Sequence, residues 1–257
     1  MYNNPAKRLL DIVEETLKIE NKSITLMDAY CDILYVPSRN ITDLYKRIIE
    51  IDKLIEEIEN AINDNNILDP ELHLNPIKSI RYIFFYSNFT VALSQVIPRL
   101  SNENIMSLKH TVSVLSNYYK NDEKKLEEKE ILEFLKELNE LVTNVTKSNI
   151  NRELKSFIVE QLEIIRDALL SYKINGNVGL QKSLERTIYA VFSNYKNIEE
   201  NIDDENVSKF KDMFQKFINM GKKVGIAIAI FNTTITGHEN FEKIKDAVKL
   251  ALTSGSN

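Results

Sequence analysis

The sequence predicts an all-α fold: a multi-helix bundle of about eight to ten helices around a central apolar helix, without a sheet. Three observations carry this. Apolar residues recur at steps of three and four along most of the 257-residue chain. The 6 glycines and 5 prolines fall mainly where such runs start or stop. The one alternating hint is Ile226-Ala-Ile228-Ala-Ile230, which equally suits a buried helix.

Taken in order, Asn4-Pro5 reads as an N-cap and first-turn pair opening a helix over 5–20, with Leu9, Leu10, Val13 and Leu17 on one face. Ser23 caps a second helix over 24–35, which stops before Pro37. The clearest element covers 41–62, where Leu44, Ile48, Ile51, Ile55, Ile58 and Ile62 form a heptad seam. That seam needs a partner helix, in this chain or another; the other long helices of the chain make an intramolecular one the preferred reading.

Residues 63–76, with Asp69-Pro70 and Asn75-Pro76 as breakers, read as a polar loop. The central helix over 77–97 is apolar nearly all round and ends at Pro98. Ser101 caps a helix over 102–119. Residues 122–147 form a long amphipathic helix on Ile131, Leu135, Leu138, Val142 and Val145, with Glu and Lys on its outer face. A helix over 150–174 carries Leu154, Ile158, Leu162, Ile165, Leu169 and Tyr172. Gly176 is placed to cap it, and a further helix over 179–200 returns antiparallel. The acidic turn 201–206 marks a boundary, giving a bundle domain over 1–202 and a C-terminal segment over 203–257.

The stretch Tyr172-Lys-Ile174-Asn-Gly176-Asn-Val-Gly179-Leu180 resembles a helix-turn-helix element recurring in large, uncharacterised, all-helical bacterial proteins. The likeness extends over about 1–220 through Ala6-Lys-Arg-Leu9-Leu10-Asp-Ile12. It implies an all-helical fold, a bacterial source and a setting in stress response, phage defence or mobile elements. It implies no active-site residue.

The chemistry of sites adds exclusions. The formal net charge of −5 is the wrong sign for gripping phosphate backbones, so nucleic-acid binding is disfavoured. One cysteine, Cys31, permits neither an internal disulfide nor a Cys-rich zinc site, and reads as a buried hydrophobe. His73, His110 and His238 lack the Glu-x-x-His and His-Glu-x-x-His spacings of helical metal sites; His238 and Glu242 share a face at i, i+4 and nothing more. The Arg-to-His spacing of HEPN-type ribonucleases is missing, since Arg99 lies too far before His110. Phosphate-cradling glycine loops and serine nucleophile elbows are likewise missing. Gly176-Asn-Val-Gly179 lacks the basic centre of a KH loop. No catalytic, cofactor-binding or metal-binding residue is therefore singled out, and no cofactor is expected.

The C-terminal segment differs in character. Between Ser208 and Lys249, eight lysines oppose four acids for a net +4, which leaves −9 on the rest of the chain. Phe210, Phe214 and Phe217 form an aromatic stripe whose first reading is core packing. Gly221-Lys-Lys-Val-Gly225 precedes an apolar run too short to span a bilayer and reads as close helix packing. Phe241, Ile244, Val248 and Leu252 make a last basic amphipathic helix.

The leading expectation is a non-enzymatic helical interaction or regulatory protein that binds a protein or itself through helix faces. Its candidate contacts are Ile48, Ile51, Ile55 and Ile58 of the seam and Phe210, Phe214 and Phe217. The rival is a membrane-active or pore-forming effector releasing residues 224–235, with Lys222, Lys223, Ile226, Ile228, Ile230 and Phe231 at the bilayer. Without a signal peptide or an apolar run of spanning length, the expected location is the cytoplasm, extending to the periphery of the inner membrane.

Overall fold

A computed structural model describes residues 4–36, 39–85, 88–119 and 124–226. The fold is all-α. Ten α-helices occur among the described residues, with two short 3-10 turns and a single isolated bridge between Thr25 and Ala92 in place of any strand. The chain divides into two compact units. The first comprises Met1–Lys124 with Leu170–Val178, and the second Lys125–Leu169 with Gly179–Asn257.

In the first unit, α1 (Pro5–Lys18) begins as the Asn4-Pro5 pair dictates, with the Asn4 carboxamide accepting from the Lys7 amide at 3.3 Å. The same side chain donates to the Val112 carbonyl and the Ser116 hydroxyl, each at 3.1 Å, and so ties the start of α1 to α5 (Asn102–Leu115). The second helix, α2 (Leu26–Ile33), is shorter than the sequence suggests. Thr25, and not Ser23, is its cap, accepting from the Asp28 amide at 3.1 Å.

The seam helix α3 (Ile41–Asn63) forms as expected and buries Leu44, Ile48, Ile51, Ile55, Ile58 and Ile62. Its partners belong to its own unit: α1, α2 and α4 pack against it. Each fully buried isoleucine contributes roughly 1.5–3 kcal/mol of transfer free energy.

The largest departures lie between 63 and 100. Asp69-Pro70 is not a breaker but an N-cap and first-turn pair, with the Asp69 carboxylate accepting from the Glu71 amide at 2.9 Å, and α4 runs from Pro70 to Phe84. Pro76 lies inside this helix. The amide it lacks would have served Leu72, an exposed residue whose carbonyl water can reach.

The central helix expected to continue to residue 97 therefore ends near Phe85. Asn88 folds the chain into a side-chain turn, accepting from the Thr90 amide at 2.9 Å and the Thr90 hydroxyl at 2.6 Å. The chain then passes alongside residues 22–27 through a turn at 89–90 and the bridge residue Ala92 before the 3-10 turn Leu93–Gln95. Leu26 and Met27 amides donate to the Val91 and Phe89 carbonyls (2.9 and 3.0 Å), and Leu93 and Ser94 amides to Ile24 and Lys22 (2.9 Å each). Phe89 and Leu93 are buried there, and Tyr30 meets Phe84 and Phe89 with ring centroids at 5.4 and 6.3 Å.

In the second unit, α6 (Glu128–Lys147) buries Ile131, Phe134, Leu135, Leu138, Leu141 and Val145. The following helix, α7 (Arg152–Leu170), starts at Asn151, whose side chain accepts from the Leu154 amide at 2.9 Å. After the break at Gly176, α8 (Tyr172–Ser193) buries Leu180, Leu184, Ile188 and Val191. The Glu160–Arg186 ion pair at 3.5 Å links α7 to the later part of α8, the register of an antiparallel hairpin. The short α9 (Tyr195–Glu200) replaces the last turn of the expected helix.

The last described helix, α10 (Glu205–Lys223), is capped by Asp204 and packs on α6. Two ion pairs fix an antiparallel register: Lys216 with Glu137, and Lys223 with Glu130, both at 2.5 Å. Gly225 ends the helix at φ +76°, where the Ile226 amide donates to the Gly221 carbonyl and the Gly225 amide to the Lys222 carbonyl, each at 3.0 Å. This is a Schellman stop. Gly225 thus terminates α10 with open space around it, while Gly221 lies buried inside the helix.

Candidate interaction surface

Among the residues named from sequence as partner contacts, Ile48, Ile51, Ile55 and Ile58 are 0–2% exposed and belong to the core of the first unit. Phe210 and Phe217 are buried in the second unit, Phe210 edge-on to Phe157 with centroids at 6.2 Å, and Phe214 is half-buried. The seam, with Phe210 and Phe217, is thus spent on folding, and of these candidates only Phe214 keeps part of its surface open.

The helix that carries the seam has a second apolar stripe. Ile41, Tyr45 and Ile49 are 41%, 48% and 53% exposed, at spacings of i, i+4 and i+8. At 100° per residue they fall within a strip about 80° wide along α3, roughly a quarter turn around the helix from the buried seam. Phe85, 43% exposed at the end of α4, carries the apolar surface beyond α3, and Tyr45 itself rests edge-on against Phe89 at 5.4 Å. Large apolar side chains exposed singly need no explanation, but an ordered row of them is a candidate contact surface.

The same line continues into charge. Asp52, Glu56 and Glu59 follow Ile49 along α3, and Arg81 of α4 reaches all three, at 2.5, 3.8 and 3.3 Å. The Arg81 guanidinium also lies 6.0 Å from the Phe85 ring centroid. Three carboxylates against one guanidinium leave this end of the face acidic. The i, i+4, i+8 spacing of Ile41, Tyr45 and Ile49 is visible in the sequence, but the longer seam on the same helix draws attention away from it.

Of the membrane-contact candidates, Lys223 pairs with Glu130, Lys222 is exposed in the last turn of α10, and Ile226 is buried. Ile228, Ile230 and Phe231, like most of 224–235 and all of the basic helix expected after it, lie outside the described residues. Among the described residues, no helix is long and apolar enough to cross a membrane.

A second polar cluster joins α4 to α5. His73 is buried, and its Nδ1 lies 3.1 Å from the Ser107 hydroxyl and 3.2 Å from the Thr111 hydroxyl. Thr111 donates to the Ser107 carbonyl at 3.0 Å and so can accept from an Nδ1 proton. The exposed His110 ring stacks on His73 with centroids 5.1 Å apart and planes 20° from parallel. Nearly parallel rings aim their lone pairs past one another and do not converge on one ion. Among the described residues, no group of three or more His, Cys, Asp or Glu side chains is arranged to hold a metal. Cys31 is buried, and that burial, with Asp32 and Asp28 beside it, raises the thiol pKa against the opposing pull of Arg39.

Burial, and then the neighbouring His110, push the His73 pKa below its ordinary 6.5, against the opposing influence of Asp69 and the Ser107 hydrogen bond. The unfolded chain therefore takes up this proton first as pH falls. Stability contributed by neutral His73 is present above about pH 6.5 and is lost as pH drops from there through the lowered folded value. The expected result is that His73→Gln narrows the difference in melting temperature between about pH 7.5 and about pH 5.5. An unchanged difference would remove His73 as its source.

The chain matches no family model, and no curated protein or solved structure matches it.

Proposed function

We propose that this chain is a non-enzymatic helical interaction protein that engages a protein partner through the outer face of α3. The observation that carries this reading is the exposed row Ile41, Tyr45 and Ile49 on the flank of a helix whose neighbouring face already holds the core. Side chains of this size at the centre of a contact surface supply most of its binding energy. Their backbone is a long helix fixed by α1, α2 and α4, so presenting them costs little ordering entropy on binding. The likeness of residues 172–180 to an element of bacterial helical proteins supports a bacterial setting in stress response or phage defence.

The test is site-specific photo-crosslinking in cells that make the protein. A photoreactive phenylalanine analogue at Tyr45 or Ile49 is expected to give a discrete protein adduct. The same analogue at Lys182, an exposed site on α8, is expected to give none. Equal labelling from all three positions, or from none, would remove the reading. Lipid adducts in place of protein would shift the assignment to the membrane-active effector that works through residues 224–235.

A further inference from the structure

We infer that the partner of this face is a basic amphipathic helix, which lays apolar side chains along Ile41, Tyr45 and Ile49 and sets Lys or Arg against Asp52, Glu56 and Glu59. This rests on the reading of the outer face of α3 as an interaction surface, and it names the chemistry of what binds there.

The face has two halves on one line. Its first half is apolar: Ile41, Tyr45 and Ile49, with Phe85 of α4 also exposed. Its second half holds three carboxylates, of which Glu56 is the most open at 58% exposure and lies 3.8 Å from Arg81, beyond an ordinary hydrogen bond. Arg81 is shared among all three acids, so two negative charges are left without a matching cation inside the cluster. Lys46 and Lys53 do not offset them on the same line, since they project roughly 80–100° around the helix from it.

From Ile41 to Glu59 the face is about 27 Å long, the length of a partner helix of about five turns. A helix that matches only the apolar half leaves the carboxylates facing its own polar residues. A helix with acids there meets like charge, which costs affinity and slows encounter. A second copy laid parallel on α3 would oppose acid to acid. Apolar residues along one half of the stripe and basic ones along the other satisfy both halves.

The experiment uses the full chain and designed helical peptides of about 20 residues, followed by fluorescence anisotropy at low salt. One peptide carries three leucines at i, i+4 and i+8 followed by lysines on the same line. A second has the same residues in reverse order, and a third replaces its lysines by glutamates. The better of the two basic peptides is expected to bind at least about tenfold more tightly than the acidic one. That preference is expected to collapse in 0.5 M salt, to roughly equal affinities. It is also expected to vanish in the triple variant Asp52→Asn, Glu56→Gln, Glu59→Gln, with circular dichroism confirming that the variant is folded.

Equal affinity for basic and acidic peptides, or no binding of either basic peptide, overturns the basic partner. A discrete adduct at Tyr45 alongside that result would leave the interaction surface standing. Loss of the adduct as well would remove both.

Discussion

Ile55→Ala is expected to destabilise the first unit by about 2–5 kcal/mol, while Ile49→Ala on the same helix stays within about 0.5 kcal/mol of the parent. The residues differ in what surrounds them. Ile55 is 0% exposed, at the middle of the seam between buried Ile51 and Ile58, and belongs to a core shared with α1 and α4. Removing three carbons there loses their transfer free energy and leaves a cavity that five packed helices cannot close by relaxing locally. Ile49 is more than half exposed, so truncating it exposes little that was buried.

Urea unfolding followed by circular dichroism separates the two: the Ile55→Ala midpoint falls and the Ile49→Ala midpoint holds. Equal losses would mean that Ile49 is held by the fold and that the outer face of α3 is not free. The contrast also separates folding from binding. Ile49→Ala should weaken a partner without moving the midpoint, and few positions in this chain allow that distinction.

The seam itself was legible because six aliphatic residues at alternating steps of four and three admit only one helix face. The caps at Asn4 and Ser101 were legible for a related reason, since a short polar side chain before a periodic run has a definite hydrogen bond to make: the Ser101 hydroxyl accepts from the Asn104 amide at 3.2 Å. Asp69-Pro70 has the same chemistry as Asn4-Pro5. It was misread because Pro76 follows, and a proline at the seventh helical position normally costs about 3 kcal/mol. The exposure of Leu72 makes that position tolerable, and exposure is a tertiary fact.

The run from Ile77 to Ile97 shows the opposite failure. With 13 of its 21 residues apolar and spread over nearly every side, helical periodicity has little contrast, and the true change of state at Asn88 is hidden. Phe89, Val91 and Leu93 suit a buried helix by composition, yet they lie in a turn, a bend and a 3-10 turn held by the backbone of residues 22–27. The exposed row on α3 was hidden differently. Three residues at steps of four are a weaker pattern than the six-residue seam, and only the positions of α1, α2 and α4 show that they are left uncovered. Phe210 and Phe217 make the same point from the other side: their helical spacing was plain, and their burial against the second unit's own helices settles that they serve the core.

Gly176→Ala is expected to cost the first unit about 1–3 kcal/mol, the largest effect of any single methyl group added to a described glycine. Gly176 holds φ 58° and ψ −154°, a backbone conformation that is essentially closed to residues with a Cβ. The turn around it cannot relax cheaply, because its neighbours are held on both sides. The buried Arg8 guanidinium donates to the Ile174 carbonyl and pairs with Glu57 at 3.0 Å. Lys173 reaches Glu15 at 2.6 Å and the Ile33 carbonyl at 3.0 Å. Beyond the glycine, buried Asn177 accepts from the Tyr172 hydroxyl at 2.6 Å and donates to the Lys124 carbonyl at 3.2 Å. Rotating Gly176 toward an allowed helical conformation would pull at least one of these anchors apart, so the substitution either bears the strain or loses buried hydrogen bonds. Gly179→Ala, three residues on and inside the regular part of α8, lacks the backbone term and should gain from alanine's higher helix propensity, by up to about 1 kcal/mol. Thermal unfolding of the two variants distinguishes a conformational cause from a packing one. Opposite signs of the shift place the cost in the backbone of Gly176, whereas equal destabilisation would place it in crowding along the whole 170–180 turn.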